Sequence, residues 1–341
     1  MVIRCDANAK IGSGHVTRCL SIADVLERRG AHVIFAVADE KSAVFVESRG
    51  GHTEIIGGNC MGLGAEDGTR LALVCRSHRT RSLLVDSYAV SAPFFSALRR
   101  TEPDLHVVYI DDLFNFSCGR LTKPALWDVD VVIAYGFGLE NARFEEMYSG
   151  TRVKLFIGTR YAPLKKAFAA TCHNVAATVQ RTLITTGSTN PNGVLELMTA
   201  TVLSALPDSK IDAVMGALSD STCPRDARIH IQRGLTDLSP LMRRADLAVS
   251  AAGTTLYELC AAGVPSVVVP IVENQLPNAD GFEKAGLGVV VRPGEGFETR
   301  LYKAVESLAL DTDGRKSLSA HMRSAVDGKG SERVAKLLVQ W

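Results

Sequence analysis

The sequence predicts an α/β chain built as two Rossmann-like domains facing across a cleft. Three observations lead there. Short apolar runs alternate with amphipathic helical stretches. That alternation fades once, near residues 171–181, and then restarts. The 341 residues also suffice for two domains of about 150 residues each. A repeating strand–helix rhythm implies a parallel sheet covered by helices on both faces.

In order, residues 2–5 read as a strand, 7–13 as a loop and 14–29 as a helix. Strands follow at 32–38, 83–85, 107–110 and 130–134; the second and third are each preceded by a helical stretch. After the polar segment at 171–181 the pattern resumes with strand 182–186, turn 187–193, helix 194–206 and strand 211–215. Strand 247–251, helix 254–262 and strand 266–269 come next, and helical sequence dominates to residue 341. The expected division is therefore 1–170, a link at 171–181, and 182–341, with the last helix able to pack back on the first domain.

Composition narrows the function classes. The chain has 38 basic and 37 acidic side chains, for a formal charge of +1. No global positive field exists to hold nucleic acid or an anionic membrane, so an anionic ligand needs a local site. There is no basic and apolar leader at the start, and residues 259–272 are too few and too Pro-interrupted to span a bilayer. A cytoplasmic, monomeric protein is the expectation. The eight cysteines, at 5, 19, 60, 75, 118, 172, 223 and 260, form no CxxC pair, so buried thiols in a reducing compartment are expected and no metal.

In open α/β sheets, ligands gather beyond the carboxyl ends of strands. The first such loop runs Asp6 to His15 and contains Gly12, Ser13 and Gly14. Thr17 stands where a dinucleotide fingerprint needs its third Gly, and no Walker sequence is present. What remains is a His in the first turn of a helix, where the peptide dipole disfavours a positive imidazolium. His15 thus reads either as a general base or as a residue that caps or packs the helix start. Asp6 either orients a base or caps the loop. In the second half, Ser250 closes a strand, and Gly253, Thr254 and Thr255 open a helix. Free N–H groups and hydroxyls there suit a diphosphate. Glu258, one turn on, suits the hydroxyls of a ribose or simply complements the dipole.

These loops, in this order, resemble the nucleotide-sugar hydrolases of pseudaminic acid biosynthesis, the PseG type. Their substrate is UDP-2,4-diacetamido-2,4,6-trideoxy-β-L-altropyranose. The residues that carry the resemblance are Arg4, Asp6, Ile11 to His15, Arg18 to Leu20, Val85 to Tyr88, Asp111 to Leu113, Gly158 to Tyr161, Ser250 to Pro270 and Glu273 to Gln275. The C-terminal stretch also resembles the donor-binding half of MurG-type transferases. The resemblance implies a GT-B-like fold, no metal or cofactor, and inverting hydrolysis of a UDP-sugar by water at the anomeric carbon. It implies that His15 is the base, and that Tyr88 and Asn274, with Asp6 and Gly14, lie near the sugar. It places the nucleotide on Ser250, Gly253, Thr254, Thr255 and Glu258. Two stretches depart from the family pattern, Thr186 to Pro191 and Tyr161 to Lys166.

Asp111 and Asp112 lack the spacing of a metal-binding DxD and read as a strand-end carboxylate pair contacting the hinge or the substrate. A glycosyltransferase of a surface polysaccharide pathway using the same donor site is the competing reading, and a non-catalytic sugar-nucleotide-binding protein is a third.

Overall fold

The computed structural model describes residues 1–8, 11–112, 128–139, 141–169, 174–187, 190–216 and 224–340. Asp220, the link residues 171–173, residues 188–189 of the departing loop and the cysteines at 118, 172 and 223 lie outside the described residues. The chain divides into two compact units, one of residues 1–165 with 329–341, the other of residues 166–328.

The first unit carries a seven-stranded sheet, parallel throughout. Its strands are β1 (Val2–Arg4), β2 (Ile34–Val37), β3 (His52–Ile55), β4 (Ser82–Val85), β5 (His106–Ile110), β6 (Val131–Ala134) and β7 (Lys154–Ile157), in the order β3-β2-β1-β4-β5-β6-β7. The helices are α1 (Gly14–Arg28), α2 (Glu40–Glu47), α3 (Ala65–Ser77), α4 (Ala92–Thr101) and α5 (Asn141–Met147). Strand order reverses between β1 and β4, which flank each other with Ile3 beside Leu84. A crevice therefore opens beyond their carboxyl ends. The helix after β1 begins there. Its apolar stripe of Val16, Cys19, Ile22, Ala23 and Leu26 recurs at helical spacing and is buried. Gly12, at φ +75°, turns the chain into α1 and donates its N–H to Asn8 O at 2.8 Å.

The second unit repeats the plan with six strands. They are β8 (Arg181–Thr185), β9 (Lys210–Met215), β10 (Ile229–Arg233), β11 (Leu247–Ala251), β12 (Ser266–Val269) and β13 (Val289–Val290), ordered β10-β9-β8-β11-β12-β13 and all parallel. The helices are α6 (Val194–Ala205), α7 (Ser239–Arg244), α8 (Thr255–Ala262), α9 (Leu276–Lys284), α10 (Phe297–Leu310) and α11 (Thr312–Ala325). Here the order reverses between β8 and β11. A core of Leu195, Met198, Val202, Val249, Val267, Leu301 and Val305 lies under this sheet.

The unit boundaries differ from the expected ones. The second unit starts at Lys166, before the polar stretch, and ends at Gly328. The final helix, α12 (Gly330–Val339), packs on α1 in the first unit, and the Ser331 hydroxyl donates to Leu164 O at 2.8 Å. Gly330 is required at this approach, since a Cβ there would meet Ala162 O at 2.0 Å. Among the described residues, no helix is long and apolar enough to cross a membrane.

Candidate functional site

In the first unit, the reversal point at β1 and β4 gathers a buried polar cluster. α1 contributes His15 and Arg18, one turn apart and on one face. The chain after β4 contributes Asp86 and Tyr88, the chain after β5 contributes Asp112, and the chain after β6 contributes Tyr135. His15 Nδ1 lies 2.7 Å from Asp86 Oδ1. Arg18 Nε donates to Asp86 Oδ2 at 2.5 Å, and Arg18 Nη2 donates to Asp86 Oδ1. Arg18 Nη1 donates to Asp112 Oδ2 and to Tyr135 Oη, each at 2.5 Å. The Cys19 thiol donates to Asp86 Oδ2 at 3.3 Å. Tyr88 stands edge-on to the imidazole, with ring centroids 4.3 Å apart.

The electrostatics fix the charge state of Asp86. Burial alone would push the Asp86 carboxyl up. The Arg18 guanidinium and His15 outweigh burial and hold it well below the usual carboxylate range. Asp86 is therefore an anion and an acceptor; Arg18 Nη2 also stands 3.0 Å from His15 Nδ1, and the tautomer that serves the carboxylate carries its proton on Nδ1. That leaves Nε2 as the ring atom able to take a proton. Burial and the neighbouring Asp112 raise the Tyr88 phenol well above its ordinary value, so it stays neutral. Arg18, stripped of water, is kept charged by Asp112 and Asp86. A carboxylate that orients an imidazole at Nδ1 is the arrangement of a general base.

Of the residues expected near a sugar, Tyr88 is in this cluster and Gly14 is the first residue of α1, next to His15. Asp6 is committed elsewhere. Its Oδ1 accepts from Ala38 N at 2.7 Å, and its Oδ2 pairs with Arg4 Nη2 at 2.6 Å in the interior. A buried carboxylate between strands needs these partners, which accounts for Asp6 as a tie between β1 and β2. Sequence reading left Asp86 and Arg18 without a role and expected Asp112 to contact the hinge or the substrate rather than Arg18. Their signal was placement: Asp86 and Asp112 each follow a predicted strand, and Arg18 lies three residues after His15.

In the second unit, Ser250 is buried in β11, its hydroxyl directed to Ala251 O at 3.0 Å. Gly253, Thr254 and Thr255 follow, half-buried, at the start of α8. Thr254 precedes the helix without capping it through its side chain. Glu258 is half-buried in the first turn. The Gln275 side chain ties this loop to the one after β12, its Oε1 accepting from Ala252 N at 3.2 Å and Ile271 N at 3.0 Å. Asn274 is exposed in the 3₁₀ turn beside it. A cavity of about 480 Å³ lined by Arg99, His106 and Asp130 lies at the opposite, amino edge of the first sheet. There Arg99 and Asp130 already pair at 2.8 Å.

The fold defined by these units is that of two-domain GT-B glycosyltransferases. MurG of Acinetobacter baumannii superposes over 100% of this chain and 99% of its own, with a TM-score of 0.67 at 15% identity. Residues 213–338, which include the loop after β11, match the family model of the glycosyltransferase family 28 C-terminal domain. The spore coat polysaccharide biosynthesis protein SpsG of Bacillus subtilis is 25% identical over 98% of this chain and 96% of its own length. A Helicobacter pylori protein is 21% identical over 84% of this chain and 47% of its own length. It is named pseudaminic acid cytidylyltransferase and UDP-2,4-diacetamido-2,4,6-trideoxy-beta-L-altropyranose hydrolase.

Proposed function

We propose that this protein acts on a UDP-sugar in a surface-polysaccharide or related sugar pathway, and that it hydrolyses it. The single observation that carries the chemistry is the buried His15–Asp86 pair, Nδ1 to Oδ1 at 2.7 Å. His15 Nε2 takes a proton from water as the water oxygen attacks the anomeric carbon. The bond from that carbon to the UDP oxygen breaks, with inversion, and UDP leaves with the electron pair. UDP is a good leaving group, so the site has to supply an oriented nucleophile and stabilisation of the diphosphate rather than strong acid catalysis. The start of α8 holds the diphosphate through free N–H groups and the Thr254 and Thr255 hydroxyls, Glu258 accepts from the ribose, and Tyr88 and Asn274 contact the sugar.

Hydrolysis is favoured because the relatives that cover most of this chain, and so reach the unit bearing His15, include one named as such a hydrolase. The diacetamido-trideoxy-altrose nucleotide is accordingly the first substrate to try. Transfer to an acceptor is the second reading, favoured by the family 28 match at residues 213–338. A panel of UDP-sugars with product NMR separates the two. Free sugar and UDP without an acceptor support hydrolysis, whereas UDP appearing only with an acceptor supports transfer. His15→Asn is expected to lose turnover by about 10²–10⁴-fold while keeping UDP binding. Full activity in that variant would remove His15 as the base.

A further inference from the structure

The cluster around His15 holds two carboxylates for one guanidinium. Asp86 alone takes two Arg18 nitrogens, Nε and Nη2, so neutralising Arg18 does not account for Asp112. Asp112 has a second contact. The Tyr88 hydroxyl donates to its Oδ2 at 3.2 Å, the oxygen that also receives Arg18 Nη1 at 2.5 Å. Two routes thus lead from Asp112 to the imidazole. One runs through Tyr88, whose ring meets His15 at 4.3 Å with planes 72° apart. The other runs through Arg18 to Asp86 and on to His15 Nδ1. An imidazole bonded at one nitrogen can still swivel about that bond, and a ring pressed edge-on against it blocks the swivel.

We propose that Asp112 is a positioning residue of the His15 site, fixing the imidazole plane through Tyr88 and its Nδ1 acceptor through Arg18 and Asp86. This rests on His15 being the base. Asp112 takes no part in bond making. A strand-end carboxylate after β5 thereby aims a base carried on the helix after β1.

The test is a double-mutant cycle with Asp112→Asn and Tyr88→Phe, read by steady-state kinetics and by NMR of the His15 ring protons without substrate. Each single variant is expected to lower kcat about 10–100-fold. The double variant is expected to lose less kcat than the product of the two single losses, because Asp112→Asn already cuts the route through Tyr88. Asp112→Asn should leave KM within about threefold and shift the His15 carbon-bound protons, as the Tyr88 ring current moves away, with the circular dichroism spectrum unchanged. Asp112→Glu should restore part of kcat. Multiplying losses in the cycle, or unmoved His15 signals in both single variants, would overturn the proposal. The NMR arm needs no turnover, so it stands apart from the reading of His15 as a base. If His15→Asn were active yet the signals moved, the base assignment alone would fall.

Discussion

Replacing Asp86 by Asn removes one charge with almost no change of shape, and the surrounding contacts dictate the outcome. Arg18 presents two donors to this residue, Nε to Oδ2 and Nη2 to Oδ1, while His15 Nδ1 meets Oδ1 at 2.7 Å. An amide has one oxygen. If that oxygen stays with His15, the amide NH₂ faces the Arg18 guanidinium, donor against donor. If it turns to Arg18, the NH₂ donates to His15 Nδ1, drives the imidazole proton onto Nε2 and abolishes the base. In either arrangement one Arg18 nitrogen, Nε in the first and Nη2 in the second, faces the amide NH₂, and in both the anion that faces His15 Nδ1 is gone. The loss expected for a disabled general base is about 10²–10⁴-fold in kcat, or about 3–5 kcal/mol at 1.36 kcal/mol per decade. Stability should fall less than it would for a fully orphaned charge. Asp112 still pairs with Arg18 at 2.5 Å, so the low end of the usual range, about 3 kcal/mol, is expected. Release of UDP and urea unfolding measure the two quantities separately. A variant that turns over within threefold of the parent would refute the assignment of the base.

Other outcomes follow from the same contacts. Asp86 is held below the ordinary carboxylate range, so its contribution to stability is complete above about pH 4 and is lost as pH falls through its lower folded value. Urea midpoints taken below pH 4 should therefore fall more steeply for the parent than for Asp86→Asn, and parallel curves would contradict this. Gly68 lies inside α3, where Ala would ordinarily help by about 1 kcal/mol, but a Cβ there would sit 2.2 Å from Phe94 O. Overpacking against backbone wins, and Gly68→Ala should lose about 1–3 kcal/mol of unfolding free energy. Among the described cysteines Cys60 alone is not buried, whereas burial lifts the Cys75 thiol to about 12. Brief alkylation followed by peptide mapping should mark Cys60 ahead of Cys5, Cys19, Cys75 and Cys260.

The strands legible in the sequence were the interior ones. β1, β4, β5, β8, β11 and β12 are buried along most of their length and read as apolar runs. The strands not read, β3, β7, β10 and β13, are the four edges of the two sheets. Their burial alternates or fails, as in the half-exposed Ile229 to Arg233, so neither a continuous run nor a clean period of two is present. The last helix was expected to be able to pack back on the first domain, and α12 does so, although its amphipathic pattern alone does not state which core it covers. At the site, His15 was singled out from a loop at a strand end and Tyr88 through the family resemblance, and the fold brings the two rings together. Asp86 and Asp112 were visible at strand ends but not as partners of Arg18, because that pairing depends on β4 and β5 lying side by side. Asp6 read in sequence as orienting a base or capping the loop, and the fold turns it toward Arg4 and Ala38.

The docking of α12 on α1 has a consequence for the order in which the molecule matures on the ribosome. Residues 166–328 form an unbroken stretch and can close their own core as soon as they emerge. The helix bearing His15 is made first yet receives its last neighbour only when residues 330–339 have been translated. At about 5–20 residues per second, the interval from the end of α1 is roughly 15–60 s. During that time the buried charge cluster sits on an incompletely covered helix. A nascent chain cut short after residue 328 would then carry a finished second unit and a His15 cluster on a helix that lacks α12.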